Sequence, residues 1–140
     1  MQYMKRLLFI PLLLTGLISS CSLDPGRVVY SNVVIPIDER SVPETGTVNQ
    51  NVNIYVEASE DNGCWSDIHF VMAQKDDREY EIWALADFES TGVCPEMIVS
   101  ADSVLTFKPE RPGNHIIKFW MNNLEYENDT IAVGEALGDR

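Results

Sequence analysis

Apolar and polar residues alternate with a period of two through most of the chain beyond residue 27. The clearest run is Asn51-Val52-Asn53-Ile54-Tyr55-Val56-Glu57-Ala58. Val52, Ile54, Val56 and Ala58 share one face, and Asn51, Asn53, Tyr55 and Glu57 share the other. That period marks a half-buried antiparallel strand. The same logic predicts strands over 28–37, 68–74, 80–88, 104–107, 115–120 and 130–133, with Met97-Ile98-Val99 as a short apolar piece. Pro36 suggests that the first strand lies at an edge or switches sheets. Turn residues separate these runs: Glu60-Asp61-Asn62-Gly63, Lys75-Asp76-Asp77-Arg78, Ser90 to Pro95, and Lys108 to Gly113. A loop is expected through Glu39 to Gly46. No segment holds a helical period over three turns. Short strands at near-regular intervals predict an all-β domain, an antiparallel β-sandwich of about seven strands over 28–134, with a polar tail at 135–140.

The N-terminus breaks this pattern. Lys5-Arg6 precede an apolar run of about a dozen residues from Leu7 to Ile18, too short for a stable membrane span, which takes roughly 20. The run closes with Ile18-Ser19-Ser20-Cys21: an aliphatic residue, two small ones and a cysteine. It resembles the lipobox of bacterial lipoproteins. The resemblance implies a signal peptide at 1–20, cleavage after Ser20, diacylglycerol on the Cys21 thiol and acylation of the new amine. The alternative is an ordinary secretory signal with a cysteine there by coincidence. Residues 21–27 then read as a lipidated tether with a turn at Asp24-Pro25-Gly26. Ser22 stands where enteric lipoproteins retained in the inner membrane carry aspartate, so the resemblance leans toward the outer membrane of a Gram-negative envelope.

Removing residues 1–20 from the 140-residue chain leaves one domain's worth of sequence and takes the formal net charge from −12 to −14, because Lys5 and Arg6 leave with them. Nucleic acid and anionic lipid are disfavoured as partners, since both need clustered Lys and Arg. With Cys21 assigned to lipid, Cys64 and Cys94 remain as an even pair in an exported chain. A disulfide between them would close a loop of about 30 residues, worth roughly 3 to 4 kcal/mol on the chain-entropy account. A metal-binding or reactive thiol pair would want closer spacing and nearby histidines.

Leu105-Thr106-Phe107 followed by Pro112-Gly113-Asn114-His115-Ile116-Ile117 resembles the corner between strands E and F of immunoglobulin-like sandwiches. The resemblance implies such a fold, with His115 where that family commonly has a tyrosine and Ile117 as a core residue. Two tripeptides, Asp102-Ser103-Val104 and Asp129-Thr130-Ile131, resemble the Asp-Ser/Thr-aliphatic O-glycosylation motif of Bacteroidota envelope proteins.

No GxSxG, HExxH, P-loop or GxGxxG pattern is present, which lowers the case for common hydrolase, protease and nucleotide chemistry. His69 and His115, the only histidines, read as structural or surface residues. The acids Glu57, Glu60, Asp61 and Asp67 approach Cys64 but match no calcium-loop spacing. No catalytic residue, cofactor or metal ligand is assigned. Aromatics offer more: Tyr55, Trp65, Trp83 and Trp120, of which Trp120 should point outward if Ile117 and Phe119 point inward. The expectation is a non-catalytic envelope module held to the membrane through Cys21. It would bind a protein or glycan through Asn62, Gly63, Trp65, Trp120 and Tyr55, with the braced loop at 62–65 as first choice. Alternatives are a structural subunit of an envelope assembly, an inhibitor of an exported hydrolase, or an enzyme built on scattered carboxylates.

Overall fold

A computed structural model describes residues 26–136. Residues 1–25, where the signal peptide, Cys21 and most of the tether are expected, and residues 137–140 of the tail lie outside the described residues.

Nine strands and no helix occur among the described residues: β1 Val28–Ile35, β2 Glu39–Ser41, β3 Thr45–Thr47, β4 Val52–Asn62, β5 Trp65–Asp76, β6 Glu79–Ser90, β7 Glu96–Phe107, β8 Gly113–Trp120 and β9 Tyr126–Gly134. They form two sheets. The larger runs β1-β6-β8-β9-β3 with β5 on the other edge of β6, and the smaller runs β2-β4-β7. On one side β6 is served twice, since its first residues pair with β8 and its last with β1. The fold is the expected β-sandwich, with nine strands where about seven were expected.

The extra strands are β2 and β3, three residues each, inside the stretch read as a loop. They are too short to show alternation, and main-chain pairing to β4 and β9 defines them. Met97-Ile98-Val99 and 104–107 proved to be the two ends of one twelve-residue strand, β7, whose polar middle Ser100-Ala101-Asp102-Ser103 hid the continuity. Most pairings are antiparallel, but β6–β8 and β3–β9 are parallel. The first follows from the connectivity. The chain leaves β6, crosses to the facing sheet as β7, and returns as β8 in its original direction.

The core lies between the sheets. Ile54, Val56 and Ala58 of β4 face Ile82, Ala84 and Ala86 of β6, Ile117 and Phe119 of β8 and Ile131 of β9, all fully buried. A buried Ile or Phe side chain contributes about 1.5 to 3 kcal/mol, so this alternating set carries the fold. Ile68, Phe70 and Met72 of β5 pack against its margin. At the opposite margin the layers are joined by charge. Arg40 of β2 shares the inward face with Val56 and donates to Asp129 at 2.7 Å and to Glu127 at 2.8 Å, with its guanidinium 4.8 Å from the centre of the Phe119 ring.

His115 is fully buried, and Ile117 on the same face of β8 is in the core. Its Nδ1 lies 3.2 Å from the Gly113 carbonyl oxygen. A carbonyl only accepts, so Nδ1 carries the proton and Nε2 is left as a buried acceptor with no partner. Tyr80 and Phe107 pack around the imidazole, with ring centroids 6.2 and 6.4 Å away. The histidine is thus packed into the core at the start of β8.

Candidate functional site

The five residues expected to form a contact surface fall in three separate places. Asn62 ends β4 and Gly63 opens the tight turn to β5, and both are engaged in holding that turn. The Asn62 Oδ1 accepts from the Cys64 amide at 3.1 Å, and the Gly63 amide donates to the Pro95 carbonyl at 2.8 Å. A side chain at Gly63 would meet the Met97 sulfur at 2.8 Å, so a larger residue here would push the exposed Met97 side chain aside. The expected disulfide is formed: Cys64 joins Cys94, Cα to Cα 5.2 Å, and ties this turn to the loop between β6 and β7. Trp65 follows, half-buried, with its ring 5.0 Å from Phe88 in an edge-to-face contact.

Tyr55 stands on the outer face of the smaller sheet, where its hydroxyl donates to Glu57 at 2.9 Å. Cross-strand register places Glu39, Glu57 and Asp102 side by side in one row there. The Tyr55 phenol is pushed up to about 12, first by its hydrogen bond to the Glu57 carboxylate, then by desolvation and by the charges of Glu57, Asp102 and Glu39. Of the acids expected near Cys64, Glu57 belongs to this row. Glu60 sits where burial, and then the charges of Asp61 and Asp38, raise its carboxyl above the ordinary range. Among the described residues, no three potential ligands converge on a metal position.

Trp120 lies on the outer face of the larger sheet, and here the register assembles what sequence alone leaves apart. Val71 of β5 is opposite Trp83 of β6, Trp83 is opposite Trp120 of β8, and Trp120 is opposite Tyr126 of β9. One row of apolar side chains thus crosses four adjacent strands, a width of about 14 Å at the usual strand spacing. The two indoles are parallel to within 4°, their centroids 6.3 Å apart, and Tyr126 meets Trp120 edge-on at 5.2 Å. Val71 and Tyr126 are exposed, and both tryptophans are half-buried by their neighbours in the row. At the turn joining β8 to β9, Leu124 is 88% exposed.

A polar margin flanks the row. The next rank is Ala73, Glu81, Lys118 and Asn128. Lys118 reaches Glu79 at 2.6 Å and lies 5.1 Å above the Tyr126 ring, and its ammonium is held above the ordinary lysine range chiefly by the bond to Glu79. On the other side of the row, His69 and Leu85 share the outer face, with the His69 Nδ1 2.7 Å from the Asp67 carbonyl. The Trp120 indole N–H is buried with no acceptor. An unmade bond of that kind costs about 1 to 3 kcal/mol, which offsets part of what the indole's packing contributes.

Trp120 was expected to point outward, and it does. Tyr126 and Val71 were not singled out, and the signal that would have found them is the β8–β9 and β5–β6 register, which sequence does not supply. Of the two tripeptide motifs, Thr130 is exposed on the outer face of β9, with Asp129 held by Arg40. Ser103 is half-buried and shares the inward face of β7 with Leu105. No protein-family model, no curated protein and no solved structure matches this chain.

Proposed function

We propose that this chain is a non-catalytic, exported binding module, lipid-anchored through Cys21. Its contact surface is the outer face of the larger sheet. The observation that carries the reading is the row Val71–Trp83–Trp120–Tyr126, an apolar stripe in direct register on an otherwise acidic molecule. Tryptophan and tyrosine concentrate binding energy at protein interfaces, surrounded by a polar margin that excludes water. Here Glu79, Glu81, Lys118 and His69 supply that margin. The aliphatic member Val71, with Leu124 exposed at the neighbouring turn and Ile116 on the same face beyond Lys118, favours a protein partner over a glycan, because sugars reward aromatic planes and hydrogen-bond donors more than exposed branched chains. Carboxylate catalysis would need two acids facing each other in a cleft with one pKa raised; Glu39, Glu57 and Asp102 spread across an open sheet face, and Glu60, raised by burial and by Asp61 and Asp38, meets only part of that requirement.

The test is a cross-linked capture from native membranes with three chains: wild type, Trp83→Ala/Trp120→Ala, and Tyr55→Ala. One stoichiometric protein partner held by wild type and Tyr55→Ala, and lost from the double variant, is the expected result. Capture unaffected by the double variant would sink the reading. Loss of capture with glycan fragments but not with proteins would move the site to a glycan.

A further inference from the structure

The strand ends define a second apolar surface, at the end of the sandwich closed by the disulfide. β1 begins there, with Val28 opposite Ser90 at the last residue of β6. The β4–β5 turn, the loop from Thr91 to Pro95 and the first residues of β7 surround it. Val93 is 85% exposed and Ile98 76% exposed toward this end, and Met97, Tyr30 and Val29 are exposed as well; register turns Val29 outward from the larger sheet and Ile98 outward from the smaller, so the two flank the end from opposite sides. Tyr30, Phe88 and Trp65 form a chain of rings across its mouth, with centroids 6.2 and 5.0 Å apart. Aliphatic tips around a Tyr and a Trp form the mixture that suits the boundary between headgroups and acyl chains.

We infer that this disulfide-closed end rests on the bilayer surface and fixes which way the aromatic face looks. The inference rests on the proposed anchor at Cys21. Five residues lie between Cys21 and Arg27, six steps along the backbone. Even fully extended, they reach about 20 Å. The twelve residues of β6 extend about 40 Å, so the opposite end, at the Asp77-Arg78 tip, lies beyond the tether's reach while the disulfide end lies within it. The surface is also specific in charge. Arg27 is paired with Glu89 at 2.9 Å, and Glu96, Asp61 and Asp67 are exposed around the rim. Those acids oppose anionic headgroups, so the matching surface is an uncharged or zwitterionic one. With the long strands standing up from the membrane, the Val71–Tyr126 row faces sideways, open to a neighbour in the same membrane.

The experiment uses the mature lipidated protein in phosphatidylcholine vesicles, with an environment-sensitive label on one engineered thiol: Val29→Cys, Ile98→Cys, or Asp77→Cys as the distant position. Intact mass reads the anchor, and quenching by lipids carrying a spin label near the headgroup reads the contact. The expected result is lipid on Cys21, with quenching at least twofold stronger at 29 and 98 than at 77. Lipid on Cys21 with equal quenching at all three positions overturns the inference and leaves the anchor standing. Cys21 without lipid overturns the anchor, and the orientation falls with it.

Discussion

The two outer faces of this sandwich are built by the same rule and carry opposite chemistry. On each, every second residue of a long strand points to solvent, and register lines those residues up across neighbours. On the larger sheet the aligned row is Val71, Trp83, Trp120 and Tyr126, four side chains that attract one another. On the smaller sheet it is Glu39, Glu57 and Asp102, three like charges placed directly opposite. Aromatic and β-branched neighbours in such positions stabilise a sheet by about 0.2 to 1 kcal/mol per pair, and like charges destabilise it similarly. The acidic row is a solvated, repulsive surface that discourages association. The aromatic row is its complement, apolar surface left open to solvent. The difference shows that outward position alone does not mark a binding face; what the register gathers there does.

Breaking the disulfide is the largest perturbation and the least selective. Cys64→Ala/Cys94→Ala releases a loop closed over 30 residues, and is expected to cost about 3 to 4 kcal/mol in a denaturant titration. The aromatic row is held by sheet register at the middle of β6, away from that end. Membrane capture of a partner should therefore persist wherever the variant remains folded, and a brace that also shapes the contact face would show as lost capture. Next in size is Trp83→Ala, which removes the centre of the row and its contacts with both neighbours. It should cost about 2 kcal/mol, while Tyr55→Ala on the acidic face should cost clearly less. Equal losses in the two melts would erase the contrast between the faces.

Much of this contrast was legible in the sequence, strand by strand, and almost none of it across strands. The alternation in 51–58 correctly placed Val52, Ile54, Val56 and Ala58 inward and Tyr55 outward, because period two is a local property of the backbone. The outward direction of Trp120 followed in the same way from Ile117 and Phe119. Whether Trp120 meets Trp83 depends on β6 and β8 pairing in parallel across an intervening strand in the other sheet, and no local pattern encodes that. The same limit hid Arg40. Its strand is three residues long, and its partners Asp129 and Glu127 stand 89 and 87 residues away. Pairing Cys64 with Cys94 was within reach because elimination needs no geometry.

Trp120→Phe separates stability from binding on the aromatic face. The substitution keeps an aromatic ring opposite Trp83 and Tyr126 and deletes the N–H that has no acceptor. Thermal unfolding should show stability unchanged or raised by up to about 1 kcal/mol, since removing a buried orphan donor offsets the smaller ring. Capture of the partner should weaken at the same time. A variant that loses stability while binding normally would make Trp120 a purely structural member of the sheet.

Glu57→Gln tests the acidic face and is expected to act most gently. It deletes the middle charge of the row and leaves an acceptor for the Tyr55 hydroxyl. In the wild type that phenol ionises at about 12, against 10.0 for an unperturbed tyrosine. The raised value means that the folded state favours the neutral phenol. The resulting stability is fully present below pH 10 and is lost as pH rises toward 12. In Glu57→Gln the tyrosinate absorbance assigned to Tyr55, by difference from a Tyr55→Phe chain, should appear nearer 10. The alkaline limb of the stability profile should lose its dependence on this residue. At neutral pH the variant should gain on the order of a few tenths of a kcal/mol from relief of the repulsion with Glu39 and Asp102. That gain should shrink in high salt, where exposed charges are screened. A gain insensitive to salt would mean that Glu57 is strained by packing rather than charge, and the acidic row would no longer be the electrostatic counterpart of the aromatic one.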